Sequence, residues 1–142
     1  MKTYIGIDLG GTNVRVAKVT EFGEVLSQVK GPSFGMEGPT KVMSNLKEMV
    51  REIPGWKDCS AIGVGVPGPV DKKSGSMVLS TNLKGFTGYP LADELSKEFG
   101  MPAFVDNDAN VAGLAEALVG AGKDKSVVYY VTISTGIGGA LI

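Results

Sequence analysis

Histidine is absent from this chain, and Cys59 is the only cysteine among its 142 residues. Without histidine there can be no Ser–His or Cys–His nucleophile pair and no His-ligated zinc. A single thiol likewise excludes an intramolecular disulfide and a thiolate metal cluster within one chain. Chemistry therefore falls to carboxylates, hydroxyls, Lys, Arg and backbone N–H groups. Long apolar runs are missing too. None approaches the roughly 20 residues that span a bilayer, and Met1-Lys2-Thr3 leads directly into a strand pattern without the apolar segment of a signal peptide. No membrane partner is expected, and the protein is expected to be cytoplasmic. Basic charge is sparse: 14 Lys and Arg face 15 Asp and Glu, and no cluster exceeds Lys72-Lys73, so no nucleic-acid surface is expected. Glycine, at 21 residues, is about twice as frequent as usual and bunches into a few tight loops where backbone can approach a ligand closely. The length suits one domain, or one lobe of something larger.

Thr3 to Leu9 and Val14 to Thr20 read as strands joined by the turn Gly10-Gly11-Thr12-Asn13. That turn is either an ordinary hairpin tip or a concavity whose N–H groups and hydroxyl meet an anion. Asp8 interrupts an apolar strand just before it, an expensive place for a carboxylate unless it is exposed or neutralised by a cation. After the turn Glu21–Glu24, Val25 to Lys30 completes an antiparallel meander, and residues 31–38 read as loop. Pro39 suits a first helical turn, and Val42, Leu46, Met49, Val50 and Ile53 form one apolar stripe up to Pro54-Gly55. Trp56 reads as packing. Ser60 to Val66 reads as a buried strand ending in Pro67-Gly68-Pro69, either a rigid turn or a pocket wall. Gly63, Gly65 and Gly68 match G-x-G-x-x-G, but the prolines and the Lys72–Gly75 turn stand where a dinucleotide fingerprint needs a helix. Met77 to Ser80 is expected to be a short strand, and Asn82 lies in the loop that follows. Leu91, Leu95 and Phe99 mark one face of a second helix, closed by Gly100 and Pro102.

The densest chemistry follows. Ala103-Phe104-Val105 reads as a short buried strand, and Ala109, Val111, Ala112, Ala115, Leu118 and Val119 recur at helical spacing after it. Asp106 to Asp108 therefore lie at a strand-to-helix junction. Asn107 suits the N-cap, which puts Asp108 in the first turn, where the helix dipole favours an ionised carboxylate. This is either a good cap or a base placed to accept a proton. Gly120 to Lys125 reads as a linker without a P-loop pattern. Val127 to Ile133 and Ala140 to Ile142 are strands around a second glycine-rich tip, Ser134-Thr135-Gly136-Ile137-Gly138-Gly139.

Five motifs in order, Ile7-Asp8-Leu9-Gly10-Gly11-Thr12-Asn13, Gly65-Val66-Pro67-Gly68, Asn82-Leu83, Asn107-Asp108-Ala109-Asn110 and Thr132-to-Gly139, make the chain resemble the N-terminal half of a ROK-family sugar kinase, bacterial glucokinases above all. The resemblance implies an α/β fold of the actin/hexokinase/Hsp70-like (ribonuclease H-like) kind. Residues 1–122 would be the sugar- and phosphate-binding lobe, and 123–142 the opening hairpin of a second lobe. It implies ATP-dependent phosphorylation of a hexose, glucose foremost, at the 6-hydroxyl. Gly10, Gly11, Thr12 and Asn13, with Thr135, Gly136, Gly138 and Gly139, would face the phosphates. Asp8 would help hold Mg²⁺, and Gly65, Pro67, Gly68, Asn82, Asn107 and Asp108 would line the sugar site. Asp108 would be the general base.

The family's Glu-x-Gly-His motif, Cys/His zinc site and adenosine pocket are not in these residues, so structural zinc is not expected in this chain. The family's repressors carry a helix-turn-helix ahead of the first phosphate motif, which here begins within ten residues of Met1, and the repressor reading is disfavoured. A non-catalytic sugar- or nucleotide-sensing or scaffold module is the alternative, against which Asp108 argues, because a sensor needs no base. The chain by itself is expected to fold without turning over, and its apolar 127–142 edge, having no partner, is expected to pair with the same segment of another copy, to swap into a neighbour or to be disordered.

Overall fold

The computed structural model describes residues 1–134 and 136–142. Strands β1 (Thr3–Leu9), β2 (Asn13–Thr20) and β3 (Val25–Pro32) form the expected meander. Helix α1 (Pro39–Glu52) follows, opened by Pro39 in its first turn. Next come β4 (Ile62–Val66), the two-residue strands β5 (Val70–Asp71) and β6 (Ser76–Met77), helix α2 (Leu91–Phe99), β7 (Ala103–Asn107) and helix α3 (Asp108–Val119). Strands β8 (Tyr129–Ile133) and β9 (Ile137–Leu141) end the chain. Among the described residues no helix is long and apolar enough to cross a membrane.

The main sheet has the order β3-β2-β1-β4-β7, antiparallel across the meander and parallel from β1 through β4 to β7. Alternation along the strands gives it two unlike faces. Ile5, Ile7, Leu9, Val14, Val16, Ile62, Val64 and Val105 point to one side. There they are sealed with Val42, Met43, Leu46, Met49 and Val50 of α1 and Leu91, Leu95 and Phe99 of α2. Full burial of such side chains stabilises by about 1.5–3 kcal/mol each. Trp56 packs edge-on against Phe99 at 5.2 Å, and Lys47 and Arg51 of α1 pair with Glu98 of α2. Gly100, at φ 66°, ends α2 in the left-handed conformation that glycine tolerates.

The opposite face is bare. Cβ atoms added at Gly6 or Gly63 would meet nothing within 4 Å, and a groove of about 1230 Å³ separates this face from Val111, Leu114 and Ala115 of α3. One expectation fails here. Phe104, expected in a buried strand, points to the bare face and is 66% exposed, and the apolar stripe of α3 leaves Val111, Leu118 and Val119 exposed. Among the described residues α3 touches this side at Gly65, where an added Cβ would stand 3.5 Å from the Asp108 Cα and 3.8 Å from the Val111 side chain, and the groove stays open beyond it. The strand expected at Met77–Ser80 is confined to Ser76–Met77, paired with β5, and Val78 and Leu79 are exposed.

The second hairpin corrects another expectation. Strands β8 and β9 form their own two-stranded sheet, but they have a partner within the chain. A Cβ at Gly113 of α3 would stand 2.8 Å from the Ala140 Cβ and 3.2 Å from the Tyr130 Cβ, and one at Gly138 would stand 3.4 Å from the Ala109 Cβ. One face of the hairpin therefore lies directly on α3.

Candidate active site

Three parallel strands end at the same edge, and their register decides what meets there. Asp8 of β1 lies beside Gly65 of β4, which lies beside Asp106 of β7, and Arg15 of β2 flanks Asp8 from the other side. Partners in register share a face, so the row Arg15, Asp8, Gly65, Asp106 runs across the open side at the carboxyl ends of the parallel strands, where open α/β sheets place their ligands.

The junction after β7 is built as its residue types dictate. The Asn107 Oδ1 accepts from the N–H groups of Ala109 (3.0 Å) and Asn110 (3.3 Å), capping α3. Its Nδ2 donates to the Gly68 carbonyl at 2.8 Å, tying the Pro-Gly-Pro corner to the helix. One Nδ2 hydrogen remains for a ligand. Asp108, exposed in the first turn, accepts from the Ala109 N–H through Oδ1 at 2.8 Å. Asp106 is engaged differently. Its Oδ2 pairs with Lys72 at 2.7 Å, while Oδ1 accepts from the Asn107 N–H and the Asn110 Nδ2. Burial opposes its charge, but the Lys72 ammonium and the Asn107 N–H hold its carboxyl below the ordinary range.

Asp8 lies on the other side of the ordinary range. Neighbouring protein withdraws water from it and the Asp108 charge adds to the rise, with the Arg15 guanidinium as a partial offset. Two carboxylates, Asp8 and Asp108, line one cleft. A magnesium ion needs only one or two protein carboxylates alongside water and phosphate oxygens, so the residues present fit it. Among the described residues no group of three metal-ligating side chains gathers.

A cleft of about 830 Å³ gathers Asp8, Gly10, Gly11, Gly65, Pro67, Gly68, Asn82, Asn107, Asp108, Gly136, Gly138 and Gly139. Thr12 and Asn13 do not line it. The Asn13 carbonyl accepts from the Gly10 N–H and the Thr12 carbonyl from the Ser33 N–H, both at 2.9 Å, so the Gly10 donor expected for an anion is taken up within the turn. Thr135 lies outside the described residues. Tyr130, Thr132 and Ser134 also line the cleft, brought there by the seating of the hairpin on α3. Arg15 was readable in advance as the cross-strand partner of Asp8, whereas the Lys72–Asp106 pair has no signal in spacing.

A model of the ROK family matches residues 4–142. The glucokinase of Thermotoga maritima is 35% identical over 138 residues, which cover 97% of this chain and 44% of that protein. Among solved structures, a ROK family glucokinase from Streptomyces griseus in complex with glucose and AMPPNP superposes with a TM-score of 0.86 at 31% identity, over 99% of this chain and 44% of that one. A ROK family transcriptional regulator, a homolog of the E. coli MLC protein, shares the fold at a TM-score of 0.81 and 23% identity, over 99% of this chain and 36% of that one. The chain thus spans less than half the length of these relatives.

Proposed function

Since this chain belongs to the ROK family, we propose that it forms the first lobe of an ATP-dependent hexose kinase, with the 6-hydroxyl of glucose as the leading acceptor. The observation that carries the reading is Asp108. It is fixed by the helix start on one cleft with Asp8 and the glycine loops, and its Oδ1 is occupied by the Ala109 N–H, which leaves Oδ2 for a substrate hydroxyl. In the reaction the sugar oxygen bonds to the γ-phosphorus, the bond from phosphorus to the ADP oxygen breaks, and the hydroxyl proton passes to Asp108. Phosphoryl transfer needs mainly positioning and charge stabilisation, which suits a site without histidine or cysteine.

Gly65, Pro67, Gly68, Asn82 and the free Nδ2 hydrogen of Asn107 orient the sugar. The turn around Gly10 and Gly11 faces the phosphates from one side, and Gly136, Gly138 and Gly139 face them from the other. Asp8 would hold Mg²⁺ through water. Bound there, the ion supplies charge neutralisation on the phosphate oxygens. A sensing module is the second reading, favoured by the fold shared with a transcriptional regulator. In the isolated chain, the outer face of the 127–142 hairpin acts as a self-association surface.

Turnover by the whole protein ends the sensing reading, and one variant tests the role of Asp108. In the protein extended to its relatives' length, Asp108→Asn should lower kcat by about 10²–10⁴, the usual worth of a general base. Sugar affinity should stay within about tenfold, because the amide keeps shape and hydrogen bonding. Retention of more than a tenth of kcat makes Asp108 a helix cap only.

A further inference from the structure

Behind the cleft, three segments distant in sequence meet main chain to main chain. A Cβ added at Gly35 would stand 2.5 Å from the Gly11 carbonyl oxygen and 2.9 Å from that of Asn82. One added at Gly11 would stand 2.8 Å from the same Asn82 oxygen and 2.9 Å from the Asn82 Cβ. No flexible side-chain end lies at this junction to give way. Hydrogen bonds hold it on both sides: the Ser33 N–H donates to the Thr12 carbonyl at 2.9 Å, and the Lys84 N–H to the Gly35 carbonyl at 2.8 Å. Leu83 beside it is fully buried. Phe34, which delivers Gly35, is held at φ 58° and ψ 35°, a left-handed conformation a phenylalanine adopts only when its surroundings enforce it. Gly11 and Asn82 line the cleft, and Gly35 does not.

We propose that Gly35 is a positioning residue, the wedge through which the phosphate-facing turn and the sugar-facing loop move as one body. The proposal rests on the phosphoryl-transfer reading above, in which Gly11 and Asn82 serve different substrates. Because no side chain intervenes, a displacement of Asn82 by a sugar hydroxyl passes by hard backbone contact to Gly11. Filling either side then orders the other, which is positive coupling in the thermodynamic sense and is reciprocal. The bulk of a side chain at position 35 breaks the coupling by forcing the turn and the loop apart.

The test is an NMR titration of the ¹⁵N-labelled protein, extended to its relatives' length as above, with glucose, with and without Mg-AMPPNP. Glucose alone should shift the amides of Ser33 and Gly35, which do not line the cleft, together with those of Asn82 and Asp108. The Kd for glucose should fall severalfold when the nucleotide analogue is present. In Gly35→Ala, checked for folding by circular dichroism, that ratio should collapse to one. Shifts at Asn82 and Asp108 with Ser33 and Gly35 unmoved, or a folded Gly35→Ala chain that keeps the ratio, overturn the inference and leave the kinase reading standing. No shift anywhere at saturating sugar overturns both. If Gly35→Ala does not fold, the wild-type shift pattern decides alone.

Discussion

The chain contains two hairpins with similar tips and opposite circumstances. Strands β1 and β2 turn through Gly10-Gly11-Thr12, and β8 and β9 through a Ser- and Gly-rich tip, and both tips reach the same cleft. The first hairpin lies inside a five-stranded sheet, with β3 and β4 on its flanks and α1 beneath it. Among the described residues the second packs against α3, where Tyr130 and Ala140 meet Gly113. Its outer face leaves Tyr129, Val131, Ile133, Ile137 and Leu141 in solvent. Tip chemistry is therefore local, whereas the firmness with which a tip is held depends on what the rest of the chain packs against it. One wall of the cleft belongs to the core, and the other leans on α3.

The sharpest way to break this contrast uses the same residue in both hairpins. Ile5, fully buried in β1, should cost about 2–5 kcal/mol as Ile5→Ala, measured by urea unfolding. Ile133, 78% exposed in β8, should change stability by no more than about 0.5 kcal/mol on the same substitution. Equal losses would mean that the second hairpin is as deeply packed as the first.

Gly113→Leu tests the contact with α3. Leucine is a good helix former, so α3 itself should persist, but the side chain meets Ala140 and Tyr130 head on. Overpacking costs about 1–3 kcal/mol, and amide exchange in β8 and β9 should therefore accelerate by about tenfold or more while the main sheet stays protected. Uniform acceleration would show that the two hairpins unfold as one unit.

The outer apolar face supplies the third contrast. Light scattering on the purified chain should report association, and Ile133→Lys with Ile137→Lys should return it to monomer, because both positions are solvent-facing on one patch. A wild-type monomer ends the self-association reading.

The smallest effect concerns Asp8 on the first hairpin. Its folded-state pKa is raised from 3.8, so the folded chain binds a proton more tightly there than the unfolded chain does. Stability from this group is fully present below 3.8, declines as pH rises through the window between that value and the raised folded one, and stays lower above it. Asp8→Asn should therefore raise Tm by a few degrees at most at neutral pH, with the gain vanishing below the window. A gain that persists at low pH would have another origin.

Much of this was legible in sequence wherever the determining interactions are short in range. The meander, the Pro39 start of α1, the Gly100 stop of α2 and above all the Asn107 cap are set by neighbours one to four residues apart, and they stand as spacing and residue type require. The cleft was legible as a set of motifs, and the structure brings most of them together. Asp106 and Asp108 look alike in the sequence, yet one is engaged by Lys72 from across a loop, whereas the other accepts from the neighbouring Ala109 N–H through Oδ1 and keeps Oδ2 for a ligand.

What the sequence by itself determined is thus the elements, their caps and the chemistry at their ends, because backbone hydrogen bonding and side-chain periodicity act locally. Only the tertiary structure decided which face of the sheet is covered, and so why Phe104 and the α3 stripe lie exposed. It also decided that Gly113 receives the second hairpin, and that Gly11, Gly35 and Asn82 share one backbone junction. Those outcomes depend on close packing between segments tens of residues apart, and excluded volume at such contacts leaves no periodic mark in the chain.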